Sequence, residues 1–470
     1  MAENLLALSG LIADSVAKID ARCHSLNTQF PNINECAPAI PSHIRQDPEV
    51  SEAAAVAVAA AAQLVANVRM PASTLMDHAQ MFLLSAALGA ASTFNFAEII
   101  REIQPQGCHA DEISRKCGVD SSKISRILRA LSTHHIFREI TPDVFTNNAI
   151  SCLLDSGKST DDLINFRGNK FSQGSRGFSA LVELSTDETF KSAAYLSESL
   201  QRSLYSSHDQ SPPFKTAFKT DLDIFTWYEL PENSTRFKRF SAAMNAAAHM
   251  APSAATQECA GFDWKSLTSG SLIVDVGGGL GHIVLFIMKM FPGLQGVVQD
   301  KPGVLDDAKK FWEKEFPKAI EAGSITFQVH DFLGPQPVKD ADVFLLRLIL
   351  HNHPDNVVLK ILKHLREAAQ NSTVLIIMDC IVPFACKEDS GISISNSNAK
   401  DAPHPLLPNY GLSGSFVYNF DLQACVILIF TGQERTLRHF NKLLLETGWC
   451  VNQIHHPPGT HLRHIVAKVA

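Results

Sequence analysis

The chain has 470 residues, of which 45% are hydrophobic and 19% charged, enough apolar material for two or three packed domains and too little charge for a disordered chain. Lys and Arg number 41 against 48 Asp and Glu, a formal net charge of −7. That balance argues against a surface built to hold nucleic acid or an anionic membrane, and for a small, uncharged or weakly anionic partner.

In chain order, Leu5, Leu8, Ile12, Val16 and Ile19 recur at helical spacing among Glu3, Asp14 and Asp20. This predicts an amphipathic helix rather than a signal peptide, and a cytoplasmic protein. The run Ala53 to Val68 is mainly alanine and is interrupted by Gln63 and Asn67. It falls short of the ~20 strongly apolar residues of a membrane span, so a packing helix is expected. The ten cysteines contain no Cys-x-x-Cys pair and read as reduced, mostly packed thiols. Residues 1–70 form a helical extension in this reading, and 71–254 a second helical domain.

Within that domain, Asp111 to Cys117 ends at Gly118, and Asp120 or Ser121 caps a helix carrying Ile124, Ile127, Leu128 and Leu131. Phe137 to Phe145 then reads as a short hairpin, giving the order of a winged helix-turn-helix. Lys123, Arg126 and Arg129 would suit phosphate contacts, but Asp111, Glu112, Asp120 and Glu139 dilute their field. A packing or dimerisation role is therefore preferred to DNA reading. The alanine-rich segment before Met70 and the apolar series Met81 to Leu88 need a partner face, which predicts a homodimer.

From about residue 255 the pattern changes. Apolar runs at Leu272–Val276, Gly296–Asp300, Ile325–Val329, Val343–Leu348 and Val374–Met378 alternate with helices ending near Phe291 and Phe316 and one spanning Pro354 to Ala369. Strands buried on both faces and separated by helices specify an α/β, doubly wound, Rossmann-like parallel sheet. Trp449–His455 and Leu462–Val469, joined by a Pro457-Pro458-Gly459 turn, predict an antiparallel closing strand. The Ser-, Asn- and Pro-rich stretch from Lys387 to Ser415 reads as a surface insertion without a role of its own, in preference to a substrate lid.

Asp275-Val-Gly277-Gly278-Gly279-Leu-Gly281 follows a buried strand and opens a helix, so a ligand can approach the backbone closely there. The dinucleotide fingerprint would require glycine at 282, where the chain has His282, which argues against a nicotinamide or flavin. Asp300, at the end of the next strand, suits a pair of ribose hydroxyls. By itself it could equally cap a helix, and Asp331 could be a turn residue. The glycine turn, Asp300, Asp331, Arg347 with His351, and Asp379 all fall at successive strand ends, which an open parallel sheet gathers along one edge. His351 alone would pass for a helix-start histidine, and with His353 it lacks an obvious third metal ligand, so no metal is expected.

Leu272 to Gly281, Gln299-Asp300, His330-Asp331-Phe332, Leu346 to Asp355, Asp379-Cys380 and Gly432-Gln-Glu-Arg-Thr436 resemble, in order and spacing, the plant-type S-adenosylmethionine-dependent O-methyltransferases. The likeness is greatest to the fungal secondary-metabolite branch with the sterigmatocystin-type enzymes. It covers roughly residues 75 to 470 and implies that the winged-helix part mediates dimerisation. It further implies that Gly277 and Gly278 face the methionine part of S-adenosylmethionine, Asp300 its ribose, and Asp331 and Phe332 its adenine, with Arg347 nearby. His351 matches the family's general base, and Asp379 and Glu434 the two acids that flank it. The chain departs from the pattern at Asp379, where Glu is usual, at Asn352-His353, where Asp-Trp is common, and at Ala248, where Ser is frequent in the helix that covers the cofactor.

The implied chemistry is methylation of a hydroxyl, in preference to an amine, on an aromatic secondary metabolite. A phenol with a pKa near ~10 keeps its proton at neutral pH, and neutral imidazole can remove it while a carboxylate holds the other ring nitrogen. The alternatives are N-methylation in the same fold and, more remotely, a DNA-binding regulator with a degenerate pocket.

Overall fold

The computed structural model describes residues 2–36, 43–103, 107–172, 177–205, 211–249, 262–387, 401–423, 428, 432–457 and 462–470. The expected start of the catalytic domain near 255, residues 388–400 of the insertion and most of the Pro457-Pro458-Gly459 turn lie outside them, as does the side chain of Ala248.

Helix α1 (Ala2–Ser25) packs along α2 (Pro48–Val68). Helix α2 begins where the Asp47 carboxylate accepts the N–H groups of Glu49 and Val50, with Pro48 in the first turn, an arrangement that satisfies donors the helix cannot. Arg22 of α1 donates to the same carboxylate at 2.8 Å. Helix α2 is long and apolar enough to cross a membrane, but here Ala59 and Ala60 are buried against Leu8 and Leu406. Gln63 donates to the Pro405 carbonyl at 2.7 Å and accepts from the Leu407 N–H at 3.3 Å. The described part of the insertion is therefore a surface segment docked on α2. Its Pro, Leu and Tyr residues match an alanine face that periodicity alone could not assign to a partner. A cavity of about 800 Å³ lies between α1, α2 and residues 401–410, lined among others by Asp14, Lys18, Arg22 and Asp401.

Helix α3 (Pro71–Thr93) leads into the winged-helix part. Gly118 ends helix Ala110–Cys117 with φ +76°, and Asp120 caps helix Ser121–Thr133, as its side chain accepts the Lys123 N–H. Strands β1 (Cys108–His109), β2 (Arg138–Thr141) and β3 (Val144–Thr146) form a sheet in the order β1-β3-β2. Two-residue β1 is too short to carry an alternation in sequence. Arg129, one of the three cations on the second helix, is held by Glu139 at 2.7 Å and Asp143 at 2.9 Å. Cys36 and Cys152 are disulfide-bonded, with Cα atoms 6.0 Å apart, which corrects the expectation that all ten cysteines are reduced. Residues 31–36 fold back onto the wing, where the Ala149 N–H donates to the Ile33 carbonyl at 2.8 Å, so two thiols remote in sequence meet.

The second, seven-stranded sheet contains β4 (Leu272–Val276), β5 (Gln295–Asp300), β6 (Ile325–Val329), β7 (Val343–Arg347), β8 (Val374–Cys380), β9 (Trp449–His455) and β10 (Leu462–Val469), in the order β6-β5-β4-β7-β8-β10-β9. The strands from β6 to β8 are mutually parallel, and β10 is antiparallel to both β8 and β9. Ile273, Val298, Leu345 and Met378 pack on one face with Trp312 and Val284. Val274, Phe344 and Ile377 pack on the other with Leu362, Phe440 and Trp449. Burial on both faces is why these strands read as unbroken apolar runs. Strand β8 runs two residues beyond the predicted end because β10 continues the ladder, pairing Arg463 with Asp379 and Leu462 with Cys380.

Candidate active site

At the end of β4 the chain turns sharply, and the N–H groups of Gly277 and Gly278 both donate to the Gln299 carbonyl, at 2.9 and 3.1 Å. Gly277 has φ +70°, and a Cβ there would fall 2.6 Å from Ile349 Cδ1; one on Gly278 would fall 2.5 Å from Asp275 Cγ. Only glycine fits both places. Around Gly279 a Cβ would meet nothing within 4 Å, so the turn opens on that side toward the start of helix His282–Met290.

Asp300 joins this turn: one oxygen accepts the Gly279 N–H at 2.9 Å and the other the Lys301 N–H at 2.7 Å. An ionised carboxylate has lone pairs beyond these two for ligand hydroxyls. Asp331 accepts the Leu333 N–H at 2.9 Å, so it is a turn residue as well as a strand-end acid. Phe332 presents Cε1 3.5 Å from where a Gly277 Cβ would be, and meets His353 edge to face at 5.5 Å. Arg347 ends β7, and its charge acts on Asp275. Asp275 is 3% exposed; burial pushes its pKa up to about 7, against the pull of Arg347 and with the push of Asp300. It was not among the predicted site residues, although an acid inside the otherwise apolar Leu-Ile-Val-Asp-Val run was a visible signal.

The second group is built around His351, on the 3₁₀ turn Leu350–Asn352 that follows β7. His351 is 6% exposed, and its Nδ1 lies 2.7 Å from Glu434 Oε1. Its ring stacks on Phe420 with centroids 5.9 Å apart and 17° between planes. Burial lowers the His351 pKa, but the Glu434 hydrogen bond and the charges of Asp379 and Glu434 outweigh it, and the net direction is upward. His353, which meets Phe332, is pushed the other way by burial and by the charges of His351 and Arg435. The two histidines thus have separate partners.

Asp379 is 1% exposed, and neither of its oxygens has a hydrogen-bond partner. Burial raises its pKa to about 7, opposed by the charge of His351 and reinforced by that of Glu434. Of the two acids expected beside His351, then, Glu434 makes the bond and Asp379 acts only through its field. Its side chain is one methylene shorter than the Glu the pattern favours, and its backbone is fixed in β8. The structure adds two contacts that the sequence did not single out: Phe420 stacks on the His351 ring, and Asp421 Oδ1 accepts the Glu434 N–H at 2.8 Å. Beyond Asp421, residues 424–427 and 429–431 lie outside the described residues.

The open glycine turn, the adjoining Asp300 carboxylate and the start of helix His282–Met290 offer donors and acceptors that fit an amino-acid sulfonium nucleoside.

Residues 198–397 match the O-methyltransferase domain family, and 76–156 the O-methyltransferase dimerisation domain. An O-methyltransferase of Armillaria gallica is 39% identical over 466 residues, 98% of each chain. The 4-O-methyltransferase 1 of Phanerochaete chrysosporium is 37% identical over 97% of this chain and 96% of its own. Among solved structures, LepI in complex with SAM superposes with a TM-score of 0.62 at 19% identity, covering 97% of this chain and 100% of LepI. With relatives 39% and 37% identical over nearly its whole length, and matches to both domain families, the chain belongs to the S-adenosylmethionine-dependent O-methyltransferases.

Proposed function

We propose that the enzyme methylates a phenolic hydroxyl of a small aromatic metabolite, with His351 as general base and Glu434 as the carboxylate that orients it. The observation that carries this reading is the buried 2.7 Å contact between His351 Nδ1 and Glu434 Oε1. S-adenosylmethionine supplies an electrophilic methyl group when bound. Gly277, Gly278 and Asp300 would hold it on the open side of the turn, with Asp331, Phe332 and Arg347 around them. With Glu434 on Nδ1, the phenolic proton passes to Nε2 as the oxygen attacks, and Glu434 stabilises the imidazolium that forms. A planar acceptor is supported by Phe416 and Phe420, stacked 6.0 Å apart at 7° beside the His351 ring. A homodimer is supported by the dimerisation-domain match and by the exposed Leu75, Met76, Phe82 and Leu83 on α3.

The test supplies methyl-labelled cofactor with phenols of graded acidity and with amines. His351→Ala should lower kcat by roughly 10² to 10⁴, and least for the most acidic phenol, which brings its own phenolate. Equal losses across the series, with chemistry rate-limiting, would overturn the base assignment. Retained turnover with amines alone would point to N-methylation.

A further inference from the structure

We propose that Arg435 is the positioning residue that holds His351 and Glu434 in register. The proposal rests on the base reading given above.

The Arg435 side chain is fully buried. All five of its N–H groups have directed acceptors. Nη1 donates to the carbonyls of Leu350 at 2.9 Å and Gln433 at 3.2 Å, and Nη2 to the His353 carbonyl at 2.6 Å and Asp355 Oδ1 at 2.9 Å. Nε donates to the same Asp355 oxygen at 3.0 Å. Leu350 and His353 bracket the turn that carries His351, and Gln433 directly precedes Glu434. One planar group therefore ties the backbone on both sides of the His351–Glu434 contact. The Gln433 N–H closes the same junction by donating to the His351 carbonyl at 2.7 Å. The other Asp355 oxygen accepts from His439 Nε2 at 2.7 Å, which fixes the anchor to helix Leu437–Glu446.

Bulk stability does not call for this group. A buried cation is costly to desolvate, and an apolar side chain of similar size often serves a core equally well. What an apolar residue, or a lysine, cannot supply is five donors in a rigid fork. Three of the acceptors are carbonyls on residues next to or near the reacting pair, so the fork converts the packing of a remote segment into the geometry of a hydrogen bond. If Arg435 acted only through its charge, lysine would replace it.

Arg435→Lys separates these roles. It should lower kcat by about 100-fold, the scale of a misplacement near 1 Å, with cofactor affinity by calorimetry unchanged. The groups that bear on the His351 charge are Glu434, Asp379 on β8 and the Leu348 carbonyl, to which the ring is hydrogen-bonded. Once Glu434 is out of register, the acid limb of kcat against pH should move to lower pH. A variant that merely unfolds more easily would lose active enzyme without moving that limb. In a His351→Ala background, Arg435→Lys should cost nothing further, because the residue acts through the base. Wild-type kcat in Arg435→Lys overturns the proposal, as does an unmoved limb with the same loss recurring in the His351→Ala background. Full activity of His351→Ala alone overturns the base reading and the proposal with it, and is seen before any Arg435 variant is made. Should Arg435→Lys fail to fold, the partly exposed Asp355 gives a second route: Asp355→Asn keeps the carbonyl contacts, and should show the same limb shift with a loss of about 10-fold.

Discussion

On the β4, β5 and β6 side of the strand edge, polar groups are held by near neighbours. Asp331 bonds Leu333, Asp300 bonds Lys301 and the adjoining glycine turn, and that turn bonds the end of β5. On the β7 and β8 side the contacts that join His351, Glu434 and Arg435 to their side-chain partners are long-range. His351 meets a carboxylate 83 residues away, and Arg435 reaches back 80 residues to Asp355 and 85 to Leu350. A cradle fixed by short turns is complete once the sheet forms. A pair fixed by the return of the chain requires the C-terminal segment to dock with a precision of tenths of an ångström. Damage on the first side should therefore appear as weaker cofactor binding, and damage on the second as slower chemistry.

The largest test of this contrast is Glu434→Gln. It should lower kcat by about 10²-fold at neutral pH with cofactor affinity unaltered, and it removes the partner that raises the His351 pKa, so the acid limb of the rate profile should fall to lower pH. Stopped assays across a pH series check this; a loss confined to cofactor binding would erase the distinction between the two sides. Asp300→Ala should do the reverse. Leaving ligand hydroxyls and the Gly279 N–H without their acceptor should weaken cofactor binding by about 1 to 3 kcal/mol, measurable by calorimetry, with kcat at saturation much less affected. The smallest effect is expected from Asp379→Asn. The folded-state pKa of Asp379 is about 7 against ~3.9 for an unfolded chain. The native state therefore keeps a proton that the unfolded state releases, and wild type loses stability as pH rises from about 4 to 7. Asparagine cannot ionise, so the variant should exceed wild type by on the order of 1 to 3 kcal/mol at pH 8 and match it near pH 4. Thermal unfolding at both pH values would reveal it; a pH-independent difference would mean that Asp379 is not buried as a titrating acid.

Legibility in the sequence follows the same division. Ile325–Val329, Trp449–His455 and Leu462–Val469 were readable to the residue because apolar alternation and turn punctuation are local signals. The glycine turn and Asp300 were readable for the same reason. The extension of β8 through Asp379 was not, since it depends on a strand that arrives more than eighty residues later. Arg435 sat inside a quoted motif without standing out, because its role consists of carbonyls that carry no side-chain signature. The pairing of Cys36 with Cys152 and the docking of Leu406 on α2 are likewise tertiary events, invisible to periodicity.

The docking of residues 401–410 changes what the first two helices mean. Leu406 finds its apolar neighbours at Leu8, Ala59 and Ala60, and Pro405 its hydrogen-bond donor at Gln63. The stretch of chain that leaves β8 just beyond Asp379 is thus moored at its far end to an element more than three hundred residues earlier. Deleting α1 and α2 would cut that mooring as well as removing an appendage. Sequence drift along their alanine face is then a way to alter how the segment beyond β8 sits, without touching a single residue of the strand edge.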